Sequence, residues 1–194
     1  MRIAVAATAP FGADVLERLA ATHDIVQLLT RPDAPPEAPF TAVIQGYPLD
    51  DLVVVASRLE NPLRFRGPLG VAQPRNASIV LLRKGMVSGS LEGAPLVAGE
   101  GQIVCFDWQR HADVELQPGH TLVVIVPIAR LEAELGELPS LHGEIVEGAG
   151  GRLLAEYMLS LYQQMATAAP SEIPLLARGT GKVLSACLSG LPAA

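Results

Sequence analysis

The sequence predicts a mainly β chain with α elements: an antiparallel barrel of the jelly-roll kind, followed by a helical hairpin and preceded by a short βαβ-like segment. Three observations predict it. Turn residues recur through 85–127, at Gly85, Gly89, Gly93, Gly99, Gly101 and the Pro118-Gly119 pair, which is the punctuation of short strands. Beyond Pro127 the apolar period lengthens from that of a strand to that of a helix. Ahead of Phe40 two apolar runs flank one helical stretch, and a proline-rich join follows.

At the N-terminus, Arg2–Ala7 is apolar enough for a buried strand, and Ile25–Leu29 is a second one. Between them 11–22 reads as a helix, with Val15, Leu16 and Leu19 inward and Asp14, Glu17 and Arg18 outward. The segment Arg31–Pro39 carries four prolines and reads as a stiff extended linker.

From Phe40 the alternating style takes over, with strands expected at Leu52–Ser57, Leu63–Arg66, Ala77–Leu82, Val87–Leu91, Pro95–Ala98, Gln102–Trp108, Asp113–Leu116 and His120–Val126. Glu92-Gly93-Ala94 closes a hairpin with glycine in its loop. Such a set closes as a jelly roll or cupin-like barrel. A short helix is expected over Ile128–Leu135, and a long one over Gly151–Met165. The long one carries Leu154, Tyr157, Met158, Leu161, Tyr162 and Met165 in one stripe. The last helix starts near Ser171, a residue suited to an N-cap, and carries Leu176, Val183, Leu184, Cys187 and Leu188 inward. The resulting divisions are a βαβ segment over 1–30, a linker over 31–39, a barrel over 40–127 and a helical region over 128–194.

Bulk properties bound the function. The chain has 194 residues, long enough for one well-buried core; 49% are hydrophobic but only 4% aromatic, so aliphatic side chains must fill it. No apolar run approaches the ~20 residues that span a bilayer, and the N-terminus makes a poor signal peptide, so a cytoplasmic protein is expected. Fourteen Lys and Arg against 20 Asp and Glu give a net charge of −6 (14 − 20). With no basic cluster denser than Arg64-Phe65-Arg66, the chain is not expected to bind nucleic acid directly. Cys105 and Cys187 read as buried free thiols.

The hairpin 85–101 holds no histidine, and His111 and His120 stand alone, so no metal site is expected. Ser88-Gly89-Ser90 lies between strands, unlike a nucleophile elbow. Neither catalytic residues nor a cofactor are expected. Alternation along 102–108 places Ile103, Cys105 and Asp107 on one face and Val104, Phe106 and Trp108 on the other. Trp108, Arg110 and His111, at the barrel rim, are the candidate ligand contacts, the indole for stacking and the guanidinium for a carboxylate. The plainer alternative has Trp108 capping the core and Arg110 solvated. His142 reads as a hydrogen-bonding residue at a helix entry.

Two resemblances follow from these residues. The stretch Met1–Pro35, with Ala7-Thr8-Ala9-Pro10-Phe11 at its turn and Thr30-Arg31-Pro32-Asp33 at its close, looks like the start of methionyl-tRNA formyltransferase. From Phe40 to Leu191 the chain resembles the N-terminal sensor domain of AraC-type transcription regulators. The matching pieces are Gly85-x-x-x-Gly89, Gly99-Glu100-Gly101-x-Ile103, Phe106-Asp107, Val126-Pro127-Ile128, Leu141-His142-Gly143 and Leu153-Leu154-Ala155-Glu156-Tyr157-x-x-x-Leu161.

The AraC-type resemblance implies a non-enzymatic domain that binds a small-molecule effector in its barrel. It also implies a homodimer through the C-terminal helices, placing Leu154, Tyr157, Met158, Leu161, Val183 and Leu184 at the interface; packing of the same stripe against the barrel is the alternative, and both can hold. The family's DNA-reading domain would begin where this sequence stops. The alternatives are a formyltransferase-like protein dependent on formyl-folate and a stand-alone protein-interaction cupin.

Overall fold

A computed structural model describes residues 6–7, 40–68, 75–136 and 140–192. Its strands, in chain order, are β1 (Ala6–Ala7), β2 (Phe40–Leu49), β3 (Leu52–Leu59), β4 (Leu63–Pro68), β5 (Asn76–Lys84) and β6 (Val87–Leu91). They continue with β7 (Ala94–Ala98), β8 (Ile103–Asp107), β9 (His111–Leu116) and β10 (Gly119–Pro127). Helix α1 (Ile128–Leu135) follows without a break. Then come β11 (Ile145–Val146), α2 (Gly148–Met165), a single 3-10 turn at Pro170–Glu172, and α3 (Ile173–Leu188).

The strands form two antiparallel sheets. One has the order β1-β2-β3-β10-β5-β8-β11, the other β4-β9-β6-β7. This is the cupin-like sandwich with a helical C-terminal part that the sequence predicts. Two-residue turns set the hairpin registers. Leu49 opposes Leu52 across Asp50-Asp51, with Asp50 at φ 61°, and Leu91 opposes Ala94 across Glu92-Gly93, with φ of 48° and 88°. Positive φ at both central residues is the twist-compatible hairpin turn, so Ala94 belongs to β7 and not to the loop. Gly89 sits at φ 148°, where a Cβ would lie 2.2 Å from the Asp113 carbonyl oxygen of the facing strand. Only glycine lets β6 lie that close to β9.

The central strands are buried on both faces, which explains their unbroken apolar runs. Along β5 every residue from Ala77 to Leu82 is buried. Ala77, Ile79 and Leu81 face the helices, while Val80 and Leu82 face the second sheet. Strand β10 divides in the same way: Leu122, Val124 and Val126 join the helix-side core.

The helical stripe that suggested a dimer interface is core. Leu154, Met158, Leu161 and Leu184 are at most 3% exposed and pack in one cluster with the sheet residues. An apolar sheet face must be covered, and here the chain covers it itself. Tyr157 and Val183 are partly buried against the same cluster. These six positions therefore hold the helical pair onto the sheet. Tyr157 hydroxyl lies 2.8 Å from Thr180 Oγ1 across α2 and α3, and Tyr162 hydroxyl donates to Gln45 Oε1 of β2 at 2.8 Å. Arg130 of α1 donates to the Ala177 carbonyl at 2.9 Å and pairs with Asp51 in the β2–β3 turn.

The end of the chain starts differently from the expectation. Ser171 lies inside the 3-10 turn, where the Glu172 carboxylate accepts from the Ala169 N–H at 2.7 Å, and α3 proper opens with Pro174 in its first turn. The βαβ reading of 1–30 and the linker 31–39 fall outside the described residues, except Ala6-Ala7. That pair adds to β2 antiparallel, opposite Phe40-Thr41.

Candidate functional site

The space between the two sheets holds the site. Its packed parts are two separate clusters. At one end Val80, Leu82, Val104 and Phe106 meet Val87, Leu91, Leu96 and Val114 of the second sheet. At the other, Ala42 and Leu59 meet Leu63. Between them lies a cavity of about 150 Å³ lined by members of both clusters. Val55 and Val123 face each other in register at the centre of the large sheet and point into this space, yet both remain only partly buried. Their residual exposure is the cavity wall.

The lining is almost entirely aliphatic and aromatic, with Phe65, Phe106 and Trp108 supplying rings and, among the described residues, no charged side chain taking part. Three hydroxyls interrupt it, and each is already engaged. Ser57 and Thr121 oppose each other on β3 and β10, with their hydroxyl oxygens 2.6 Å apart. Ser78 on β5 accepts from the Trp108 indole N–H at 2.6 Å. Among the described residues, no fully enclosed side-chain nitrogen or oxygen lacks a partner. The arrangement can therefore desolvate an apolar molecule and offer it the Ser57–Thr121 pair and the Ser78 hydroxyl hydrogen.

Of the three predicted ligand contacts, the structure brings only Trp108 to the cavity. Strand β8 keeps its alternation through Phe106 and ends at Asp107, so Trp108 retains the inward side while the chain turns away after it. Arg110 lies outside the lining and pairs with Glu92 of the β6–β7 turn. That guanidinium holds the Glu92 carboxyl below the usual carboxylate range, first through the hydrogen bond between them. His111 is exposed and starts β9; its backbone carbonyl, not its ring, is engaged, accepting from the Glu92 N–H at 3.1 Å. Neither Arg110 nor His111 faces the cavity.

His142 is a polar clasp, placed in the turn before β11 and not at a helix entry. Its Nδ1 accepts from the Asp107 N–H at 3.2 Å and its Nε2 lies 3.1 Å from the His111 carbonyl. Those partners require the tautomer with the proton on Nε2. The ring also meets Phe106 edge-on, 6.4 Å between centroids. Burial pushes its pKa down, the His111 carbonyl opposing. Beside it, buried Asp107 is held by Arg75 and by the Gln109 N–H at 3.0 Å.

Sequence reasoning missed the hydroxyls. The signal was present: Ser57, Ser78 and Thr121 are lone polar residues at inward positions of otherwise Val-, Ile- and Leu-rich strands. Among the described residues no three His, Cys, Asp or Glu side chains gather as a metal would require. Burial pushes the Cys105 thiol up to about 12, which leaves it a poor nucleophile. Among the described residues no helix is long and apolar enough to cross a membrane.

The fold and its cavity thus define a cupin-like sandwich backed by helices. Among solved structures, the chain is similar to the AraC-like transcriptional activator CuxR, at 17% identity and a TM-score of 0.76 over 98% of this chain and 71% of that one. At that identity the likeness shows the fold. Slighter likenesses are to the cupin domain of an XRE family transcriptional regulator from Enterobacter cloacae and to the Clostridium difficile EutQ protein. The first has 15% identity and a TM-score of 0.35 over 44% of this chain and 95% of that one. The second has 11% identity and a TM-score of 0.34 over 48% of this chain and 66% of that one. No protein-family model and no curated protein matches the sequence.

Proposed function

We propose that the chain is the effector-sensing domain of an AraC-type transcription regulator, a cytoplasmic and non-enzymatic module. One observation carries the reading. Along β10, Thr121, Val123 and Ile125 line the cavity, while Leu122, Val124 and Val126 between them pack in the helix-side core. The strand then runs straight into α1 at Ile128. A molecule seated in the cavity presses on one face of a strand whose other face supports α1, α2 and α3. A ligand acts this way only by binding the two arrangements of that layer unequally; coupling free energies of about 1–3 kcal/mol are ordinary. The likeness of the whole fold to an AraC-like activator supports the same reading.

Dimerisation belongs to this proposal in altered form. The stripe residues are spent inside the chain, so a second copy would meet the outer sides of the helices, where Leu153 and Leu175 are 61% and 64% exposed. The relay is tested by filling the cavity from within. In Val123→Phe, hydrogen exchange is expected to change in α1 and along α2, with the dimer equilibrium shifting in sedimentation. Changes confined to β3, β4 and β10 would overturn the relay.

A further inference from the structure

The cavity's chemistry narrows what can occupy it. We infer that the occupant is a neutral, largely hydrocarbon molecule about one six-membered ring in size, carrying at most two hydroxyl or carbonyl groups. This inference rests on the effector-sensing reading above and gives it a ligand class.

Size comes first. A space of about 150 Å³ is that of an engineered protein cavity known to take benzene, so about six to ten non-hydrogen atoms fill it. A nucleotide or a long acyl chain does not fit within it. Charge comes second. Among the described residues the lining holds no ionisable side chain, and the arginines flanking β5 and β9 are paired, Arg110 with Glu92 and Arg75 with Asp107. A carboxylate or phosphate entering here would lose its water and gain no counter-charge, which is strongly unfavourable.

Hydrogen-bonding capacity comes third. The Trp108 indole N–H is spent on the Ser78 oxygen, which keeps its own hydroxyl hydrogen. In the Ser57–Thr121 pair one hydroxyl donates to the other, which leaves a single hydroxyl hydrogen and the remaining lone pairs for a guest. With the Ser78 hydroxyl, that capacity suits one or two alcohol, phenol or ketone oxygens. A sugar, with a hydroxyl on nearly every carbon, would bury most of them unpartnered. The aromatic side chains Phe65, Phe106 and Trp108 provide ring edges and faces for a flat guest.

The test uses a built-in reporter, because Trp108 is the chain's one tryptophan and it lines the cavity. Its fluorescence is followed while the full chain is titrated with toluene, benzyl alcohol, benzoate and a pentose, and hydrogen exchange of α1 is recorded at saturation. Toluene and benzyl alcohol are expected to bind, benzyl alcohol at least about tenfold more tightly than benzoate, since an unpaired charge is excluded. Ser57→Ala combined with Thr121→Val should weaken benzyl alcohol about fivefold and spare toluene, as loss of one neutral hydrogen bond does. Val123→Phe should abolish both; Val55→Leu, a smaller change, serves if that variant does not fold. Benzoate or the pentose binding in preference to the neutral rings, or none of the four binding, would overturn the ligand class while leaving the relay to the Val123→Phe exchange experiment. Neutral rings binding with no change in α1 would keep the class and overturn the sensing reading.

Discussion

The two faces of the seven-stranded sheet are built from the same strands and have opposite packing. Toward the helices, side chains from β3, β5, β8 and β10 interlock with α1, α2 and α3 in one continuous cluster. Toward the second sheet, the alternate residues of those strands fall into two clusters with a cavity between them. Sequence composition does not separate the faces, since Leu122 and Val123 are neighbours of the same apolar kind. The difference lies in what stands opposite: separate helices can each settle onto a sheet, whereas the strands of the second sheet are held to one another by the β6–β9 and β4–β9 registers and meet the first sheet as one layer.

Adjacent substitutions on β10 break or sharpen this comparison. Leu122→Ala removes a fully buried side chain from the tight face and is expected to cost about 2–5 kcal/mol in denaturant unfolding. Val123→Ala only enlarges an existing cavity, and about 1 kcal/mol or less is expected. Equal losses at the two positions would mean that the inter-sheet space is packed in solution.

An effect smaller than that of Leu122→Ala is expected at the polar clasp at the end of β8. His142→Phe keeps the ring but leaves the Asp107 N–H and the His111 carbonyl without it, at about 1–3 kcal/mol near neutral pH. The acid dependence has a defined sign. The folded ring binds its proton less readily than the unfolded one, so its contribution is complete above the ordinary histidine pKa of about 6.5 and is lost as pH falls through the lower folded value. Melting temperature should therefore fall more steeply with acid below about 6.5 in the native chain than in His142→Phe. Parallel acid limbs would remove the clasp. Smallest of all, Arg110→Ala should leave both toluene affinity and the melting midpoint unchanged, because its pair with Glu92 is exposed to water and lies off the cavity. A loss of ligand affinity would return Arg110 to the site.

Much of this architecture was legible in the sequence, and the gaps have physical causes. Val87–Leu91 and Ile128–Leu135 stand where turn glycines and the change of period place them. Strand β2 was not named because Gly46 and Pro48 interrupt its pattern; there, exposed Gly46 and Pro48 alternate with partly buried neighbours against β3. The two-residue β11 is too short to carry any period and is set by its pairing with β8. Trp108 was found because alternation survives one residue beyond a strand end; Arg110 and His111 were misassigned because nearness in sequence to Trp108 does not survive the turn that follows. The helical stripe gave the right residues but left two partners open, the sheet and a second copy. An apolar stripe reports that something covers it, and only the sheet's own need for a cover says what.

The buried thiol of Cys105 has a consequence for kinetics. It sits at the middle of β8, fully enclosed on the helix-facing side, where its main chain is held twice by the turn before β11: its N–H donates to the Glu144 carbonyl and its carbonyl accepts from the Gly143 N–H, both at 2.9 Å. With its pKa raised to about 12, the sulfur is both hidden and protonated in the native state. A thiol reagent can therefore reach it only after the turn at 143–144 has lifted away and the sheet has parted from its helices. The rate at which Cys105 is labelled is a clock for that opening, wound into the chain at the seam between its two layers.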